Sequence, residues 1–216
     1  MNDIHKVFGR YIVIDGIDGA GKGFLFETLQ KAFPPLSKDE QKFVYTREPG
    51  GTPVGEKIRE VLLNDYMSPL SEFFLFLAQR KEVRDQVVEP ALLRGIHVIS
   101  DRSDSSTFAY QIRGRQHPAL EKSFWKTRKE ITPVPSLYIF LDLDPKVAAE
   151  RLSRRKSDGG EGDRFDTENI EFFTRVRQGF IDFAKEVFAP VIFVDASASK
   201  EEVAQEVVTH IRAFVG

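Results

Sequence analysis

The 216-residue chain contains no cysteine. That excludes a disulfide framework, a thiolate metal site and a cysteine nucleophile. No run approaches the ~20 consecutive apolar residues a membrane-spanning helix needs. The first ten residues are polar and charged, without the apolar centre of a signal peptide, so the cytoplasm is the expected compartment and no membrane partner is expected. Net charge is also scarce. Thirty-one Lys and Arg against 33 Asp and Glu leave −2, so no overall basic surface points to nucleic acid as a partner. The four histidines, His5, His97, His117 and His210, show no metal-ligand spacing and are given no catalytic role. What the chain has in excess is phenylalanine, 19 residues, most of them expected in the core. A chain this long buries a core without covalent staples, which suits one domain with at most a small lid.

Five short apolar runs, at 11–15, 43–46, 97–100, 137–141 and 191–194, are rich in β-branched or aromatic residues and do not alternate with polar ones. Strands covered on both faces have this pattern. Helix-like stretches separate them, at 21–33, 54–63, 71–93, 145–155, 170–187 and 200–214, the third with a kink expected at Pro90. Strand and helix in alternation predict a three-layer α/β domain around a parallel sheet with right-handed crossovers. There is no internal repeat. The flexible-looking tract is 157–162, half of it glycine. Residues 116–132 are charged and irregular, and the pattern there assigns no element.

The sharpest motif is Gly16-Ile17-Asp18-Gly19-Ala20-Gly21-Lys22. It follows an apolar strand and opens a helix, as the G-x-x-x-x-G-K pattern requires. Glycines let successive backbone N–H groups turn inward around phosphate oxygens. The helix behind them points its positive end at the same anion, and Lys22 reaches the β- and γ-phosphates. The pattern normally ends in Ser or Thr, whose hydroxyl binds Mg²⁺; here the position is Gly23.

Two further loops follow predicted strands, at the sheet edge where open α/β folds bind ligands. One is Ser100-Asp101-Arg102, where Asp101 can hold a metal-bound water and Arg102 can clamp a phosphate in a bidentate fork. The plainer alternative for this pair is a surface salt bridge. The other is Thr46-Arg47-Glu48-Pro49-Gly50-Gly51-Thr52. An ordinary turn explains its Pro and Gly, but does not call for Arg47.

Together these segments resemble thymidylate kinase of the bacterial type, a P-loop nucleoside monophosphate kinase. The likeness runs from about Tyr11 to Phe214. It is carried by the phosphate loop and by Arg47-Glu48-Pro49-Gly50-Gly51-Thr52. It is carried further by Phe76-Leu77-Ala78-Gln79-Arg80, by Asp101-Arg102 with Ser105-Ser106-Thr107-Phe108-Ala109-Tyr110-Gln111, and by Asp163-Arg164-Phe165. The resemblance implies a P-loop fold and transfer of the γ-phosphoryl group of ATP to dTMP, with Mg²⁺ accompanying ATP, and a homodimer with the 71–93 helix as a contact surface. It implies that Gly16 to Gly23 hold the ATP phosphates and that Arg151 lies against the adenine. Phe76 would stack on thymine, and Arg80, Thr107 and Gln111 would line the base pocket. Arg47, Arg59 and Arg102 would hold the acceptor phosphate. Tyr110 would pack under the sugar, and Asp18 would reach its 3′-hydroxyl or organise the acceptor phosphate.

The resemblance also places a lid at about 151–166. Arg155, or Arg154 in its place, would act on the transferring phosphoryl group as arginine fingers do, with Arg164 helping closure. The phosphate loop itself carries no Arg, which agrees with a lid-borne one. Lys22, Arg102, Arg155 and Asp18 are thus the expected catalytic set, and Asp101 touches metal only through water. Helix-end cations also complement the helix dipole without any substrate. The chain departs from the family pattern at Gly23, at Ser103 where an aromatic is common, and at Ile112 where Gly is usual. Two alternatives follow: a kinase for another (deoxy)nucleoside monophosphate, or a nucleotide-binding protein weakened in catalysis by Gly23.

Overall fold

The computed structural model describes residues 8–34, 42–159 and 164–216. Chain order is β1 (Tyr11–Gly16), α1 (Lys22–Ala32), β2 (Phe43–Arg47), α2 (Pro53–Asn64), α3 (Pro69–Val83) and, after a π-helical turn Arg84–Val88, α4 (Glu89–Leu93). Next come β3 (His97–Asp101), α5 (Asp104–Thr107) running into a π-helical segment Phe108–Gly114, α6 (Glu121–Ile131) and β4 (Leu137–Asp142). The chain closes with α7 (Pro145–Ser157), α8 (Ile170–Glu186), β5 (Val191–Asp195) and α9 (Lys200–Val215). The predicted tract 157–162 and Asp163 lie partly outside the described residues; only 157–159 and Arg164 onward are within them.

The five strands form one parallel sheet in the order β2-β3-β1-β4-β5. β1 is buried along its whole length, so helices cover both of its faces, as its unbroken apolar run requires. In register, Ile14 faces Asp101 on one side and Ile139 on the other, while Arg47 faces Asp101. From β1 the chain crosses to one side of the sheet and from β3 to the other. The carboxyl ends of β1 and β3 therefore flank the point where the winding reverses, where a crevice opens.

Side-chain caps start the helices where the sequence offers them. Thr52, Ser68, Asp144 and Asn169 each accept an N–H of the first turn, with Pro behind the first three. Ser199 and Glu202 form a reciprocal capping box.

Two segments differ from expectation. The predicted 71–93 helix begins earlier, at Pro69, and instead of a simple kink it widens over Arg84–Val88 just before Pro90. A wide turn relieves the backbone next to a residue with no N–H to donate. Residues 116–132 contain a short 3₁₀ turn, Pro118–Leu120, and α6. α6 has few apolar residues to mark a period; tertiary contacts hold it instead. Phe124 is buried, and Trp125 stacks on Phe183 at 5.7 Å. Arg128 pairs with the buried Asp104 and donates to Tyr138 Oη at 2.9 Å. The Tyr138 hydroxyl in turn donates to Asp104 at 2.8 Å. This triad fastens α6 beneath α5.

Candidate functional site

A cleft of about 480 Å³ opens over the carboxyl ends of β1, β2 and β3. Lys22 and Arg102, the cations of the two expected anion pockets, both line it, as do Arg47, Arg59, Arg151 and Arg155.

Its floor is the loop from Gly16 to Gly23. Gly16, Gly19 and Gly21 have φ values of 153°, 84° and 88°, the last two in the left-handed region that glycine enters without strain. Gly19 is also sterically required: a Cβ there would sit 2.9 Å from the Ala148 carbonyl oxygen of α7. Ile17 and Ala20 are buried beneath the loop. Gly19, Gly21, Lys22 and Gly23 face the cleft. Lys22 Nζ donates to the Gly16 and Ile17 carbonyls at 3.2 and 3.3 Å. Burial and the adjacent Arg102 guanidinium pull the Lys22 ammonium below its ordinary range, against Asp18, Asp101 and Asp15.

Arg102 is the organising residue. Its backbone takes φ 70°, a conformation a non-glycine residue holds only when its surroundings enforce it. Its N–H donates to the Ile14 carbonyl at 2.9 Å, and its own carbonyl accepts from Ser100 Oγ at 2.7 Å. The guanidinium donates to Asp15 Oδ1 at 3.1 Å, the Gly16 carbonyl at 3.0 Å and Ser106 Oγ at 2.9 Å. Its other nitrogen donates to Asp18 Oδ1 at 2.6 Å. Tyr110 lies under it, ring centroid 5.1 Å away, and sends its hydroxyl to Asp18 Oδ2 at 2.9 Å. Burial opposes ionisation of Asp18, but the Arg102 and Lys22 charges outweigh it and hold the carboxyl below its usual range.

Asp15, to which the sequence reading gave no part, is fully buried and binds four groups of the site. Besides Arg102 it accepts the Gly16 N–H at 2.8 Å, Ser105 Oγ at 2.7 Å and Ser106 Oγ at 2.8 Å. A carboxylate in an otherwise apolar strand was the signal available for it.

Asp101 lines the cleft, and its Oδ1 is buried with no hydrogen-bond partner among the described residues. Burial raises its carboxyl above the usual range, against the pull of Lys22 and Arg102. No cluster of three or more metal-ligating side chains occurs among the described residues. One carboxylate oxygen without a partner beside a phosphate loop suits Mg²⁺, which keeps most of its waters and takes few protein ligands. At Gly23 a Cβ would meet nothing within 4 Å, so glycine there answers no steric need.

The expected acceptor side is built on the β2 loop, α3 and the Asp104–Gly114 helix. Glu48 and Pro49 are joined by a cis peptide. Arg47 donates to Glu56 at 2.9 Å and Arg59 to the Pro49 carbonyl at 2.8 Å. Phe76, Tyr110 and Gln111 line the cleft, with Phe165 set edge-on to both Phe76 and Tyr110. Arg80 and Thr107 are not in the lining. They stand behind it, Arg80 donating to Thr107 Oγ1 and the Ser103 carbonyl, each at 2.9 Å. Arg80 Nε donates to the buried Glu48 at 2.7 Å, and Gln79 donates to the same carboxylate at 3.1 Å. Arg80 Nη1 has no partner among the described residues. Ser103, where the family pattern has an aromatic, accepts the Tyr11 hydroxyl at 3.1 Å and faces Glu48 at 3.4 Å. Glu48 and Glu72, like Asp15, are carboxylates that sequence reasoning left without a role; their partners lie far along the chain.

From Phe108 the helix widens to i→i+5 bonding, with Arg115 N donating to the Tyr110 carbonyl at 2.9 Å. Such turns concentrate at functional sites. α8 packs along it, and a Cβ at Gly179 would lie 2.7 Å from Ala109 Cα.

On the expected donor side, Arg151 donates to the Gly19 carbonyl at 3.3 Å and the Ala196 carbonyl at 3.1 Å. It ties α7 to the phosphate loop and to the end of β5. Arg155 lines the cleft and pairs with Asp166. Arg154 is exposed and is not in the lining. Arg164 is buried, donating to the Leu62 carbonyl at 2.7 Å and to Glu72 at 2.6 Å.

The model of the thymidylate kinase family matches residues 14–207. A thymidylate kinase of Verminephrobacter eiseniae is 38% identical over 206 residues, covering 92% of this chain and 88% of the relative. One of Methylobacillus flagellatus is 35% identical over 206 residues, covering 95% and 98%. The crystal structure of thymidylate kinase from Ehrlichia chaffeensis aligns with a TM-score of 0.74 at 26% identity, covering 94% of this chain and 99% of that one.

Proposed function

The chain belongs to the thymidylate kinase family, and on that premise we propose how its cleft transfers the γ-phosphoryl group of ATP to dTMP, giving dTDP and ADP. The observation that carries the reading is the convergence of Lys22, Arg102 and Arg155 on one cleft over the ends of β1 and β3.

ATP lays its phosphates over Gly19 to Gly23, with Lys22 leaving its loop carbonyls for the phosphate oxygens. Arg151 meets the adenine side. dTMP enters from the other end, its base against Phe76 and Gln111, with Arg80 and Thr107 in the layer behind. Arg47, Arg59 and Arg102 take its phosphate, and Tyr110 lies under the sugar. Asp18 holds Arg102 and Tyr110 in place and faces the sugar. The acceptor is already an anionic oxygen, so no strong general base is needed; the residues position and neutralise. Asp101 would hold a water of Mg²⁺, which when bound would neutralise charge that develops during the transfer. The lid expected at 151–166, within a single domain, would move in its part past Leu152 and bring Arg155 from Asp166 onto the phosphoryl group. Of Arg154 and Arg155, Arg155 takes this role, and its place at the border of the cleft supports that choice.

A homodimer fits the exposed apolar residues Val61, Tyr66, Leu70 and Phe74 on α2, α3 and their connection. Light scattering of wild type against Phe74→Glu tests it: a dimer that becomes monomeric is the expected result.

A coupled assay with dTMP, dUMP, dCMP, AMP and GMP in Mg²⁺ tests the reaction. dTMP should give the highest kcat/KM; no turnover with any acceptor would end the proposal. Gly23→Ser fits the free space and should raise the rate at low Mg²⁺ if the missing hydroxyl limits metal handling.

A further inference from the structure

Glu72 lies outside every role described so far. It sits in the first turn of α3, 2% exposed, amid phenylalanines. An acid there is expected from the helix dipole alone, yet its carboxylate is turned inward, hydrogen-bonded to two side chains and near a third. Gln111 Nε2 donates to Oε1 at 2.8 Å, and Arg164 Nη2 donates to Oε2 at 2.6 Å. Arg115 Nε stands 3.8 Å from Oε1, outside hydrogen-bond range, and pairs with Glu168.

We propose that Glu72 is a specificity-determining positioning residue. It fixes which end of the Gln111 amide faces the base, and so selects pyrimidines that carry a proton on N3. The inference rests on the base-pocket reading above.

An ionised carboxylate only accepts hydrogen bonds, so the amide nitrogen of Gln111 must face it. The Gln111 amide then has its carbonyl oxygen left for the cleft, which Gln111 lines. That oxygen matches the N3–H of thymine or uracil. Cytosine presents a lone pair at N3, and two acceptors would face each other in a buried site. Such mispairing is what lets a polar pocket reject a near-isostere. Arg164 makes the device unambiguous. It carries only donors, so in Glu72→Gln the new amide must turn its oxygen to Arg164 and its NH₂ to Gln111. Gln111 then has to flip, showing its own NH₂ to the base. The variant inverts the group read at N3 while keeping size and packing.

The test is kcat/KM for dTMP, dUMP and dCMP in wild type, Glu72→Gln, Gln111→Met and the double variant. Glu72→Gln is expected to lower the dTMP:dCMP ratio by roughly ten- to a hundredfold, the worth of one mispaired buried hydrogen bond. dUMP should fall together with dTMP because it shares the N3 proton. Gln111→Met keeps the Glu72–Arg164 pair, and so remains informative even where Glu72→Gln folds poorly. It should lower the ratio by a comparable factor, and the double variant should lower it no further. A merely structural role would reduce all three substrates equally and leave the ratio unmoved; that outcome in either single variant overturns the inference. A wild type that prefers none of the three to AMP or GMP would instead overturn the base-pocket reading, and this inference with it.

Discussion

Arg102 and Arg155 face the same cleft and are held in opposite ways. The side chain of Arg102 is 15% exposed and is gripped by Asp15, Asp18, Ser106, Tyr110 and a backbone carbonyl. Arg155 is 47% exposed at the end of α7 and pairs with one carboxylate. On the proposed reading, Arg102 as the acceptor's cation is thus set before substrate arrives, at the cost of a strained backbone, while Arg155 as the donor's cation keeps freedom to move. Prior organisation serves recognition and orientation; a residue acting on charge that appears only during transfer can be delivered late.

The largest expected effect tests whether the acceptor side is a fixed block. Glu48→Ala leaves Arg80 buried without its anion and should cost about 3–5 kcal/mol of unfolding free energy, read by denaturant titration. A loss under about 1 kcal/mol would mean that the block is soft. Next comes Arg155→Ala. It should lower kcat on the order of 10³-fold, yet shift stability by about 1 kcal/mol or less, since the side chain is half in water. Equal losses in both would erase the contrast with Arg102. Arg102→Lys keeps the charge but not the planar fork. A drop of about a hundredfold in kcat/KM for dTMP, roughly 2.7 kcal/mol, is expected. Near-normal activity would show that charge alone suffices. Asn169→Ala removes the cap of α8, whose side chain accepts the Phe172 N–H at 2.8 Å, and should cost about 1 kcal/mol without changing acceptor preference.

The smallest effect belongs to the opposite end of the sheet. Burial, then Arg10 and Lys42, depress the His97 pKa below its ordinary 6.5, and its Nδ1 accepts the Arg10 N–H at 2.9 Å. The unfolded chain therefore takes up the proton first as pH falls. Stability is full above pH 6.5 and declines below it, down to the folded pKa. His97→Gln should remove that slope in melts between pH 7 and 5, and cleft chemistry should be unaffected.

Much of this was legible in the sequence because it is local. The strand runs at 11–15 and 97–100 differ from the observed strands by one residue at the cleft end, and the phosphate loop declares itself by spacing. Arg102 was legible as a residue but not as a positive-φ hub, since its grip comes from Asp15 and Asp18, more than 80 positions away. Glu72 was given no role for the same reason: Gln111 and Arg164 lie 39 and 92 residues on. α6 escaped notice because a buried triad, not an apolar stripe, fastens it. The π-helical turns leave no periodic mark, as one added residue per turn is invisible to a 3.6-residue template.

The tight meeting of Gly19 with the Ala148 backbone sets a limit on how the proposed lid would work. The root of α7 leans on the phosphate loop with no room for a methyl group, and Arg151 bolts the next turn to the same loop. Leu152 is buried just beyond. A pivot at the root would drag the cradle away from the very phosphates it is meant to hold. In the proposed lid the hinge would therefore fall past Leu152, so the stroke would be short: one helical turn and the length of an arginine, swung against an anvil that stays still.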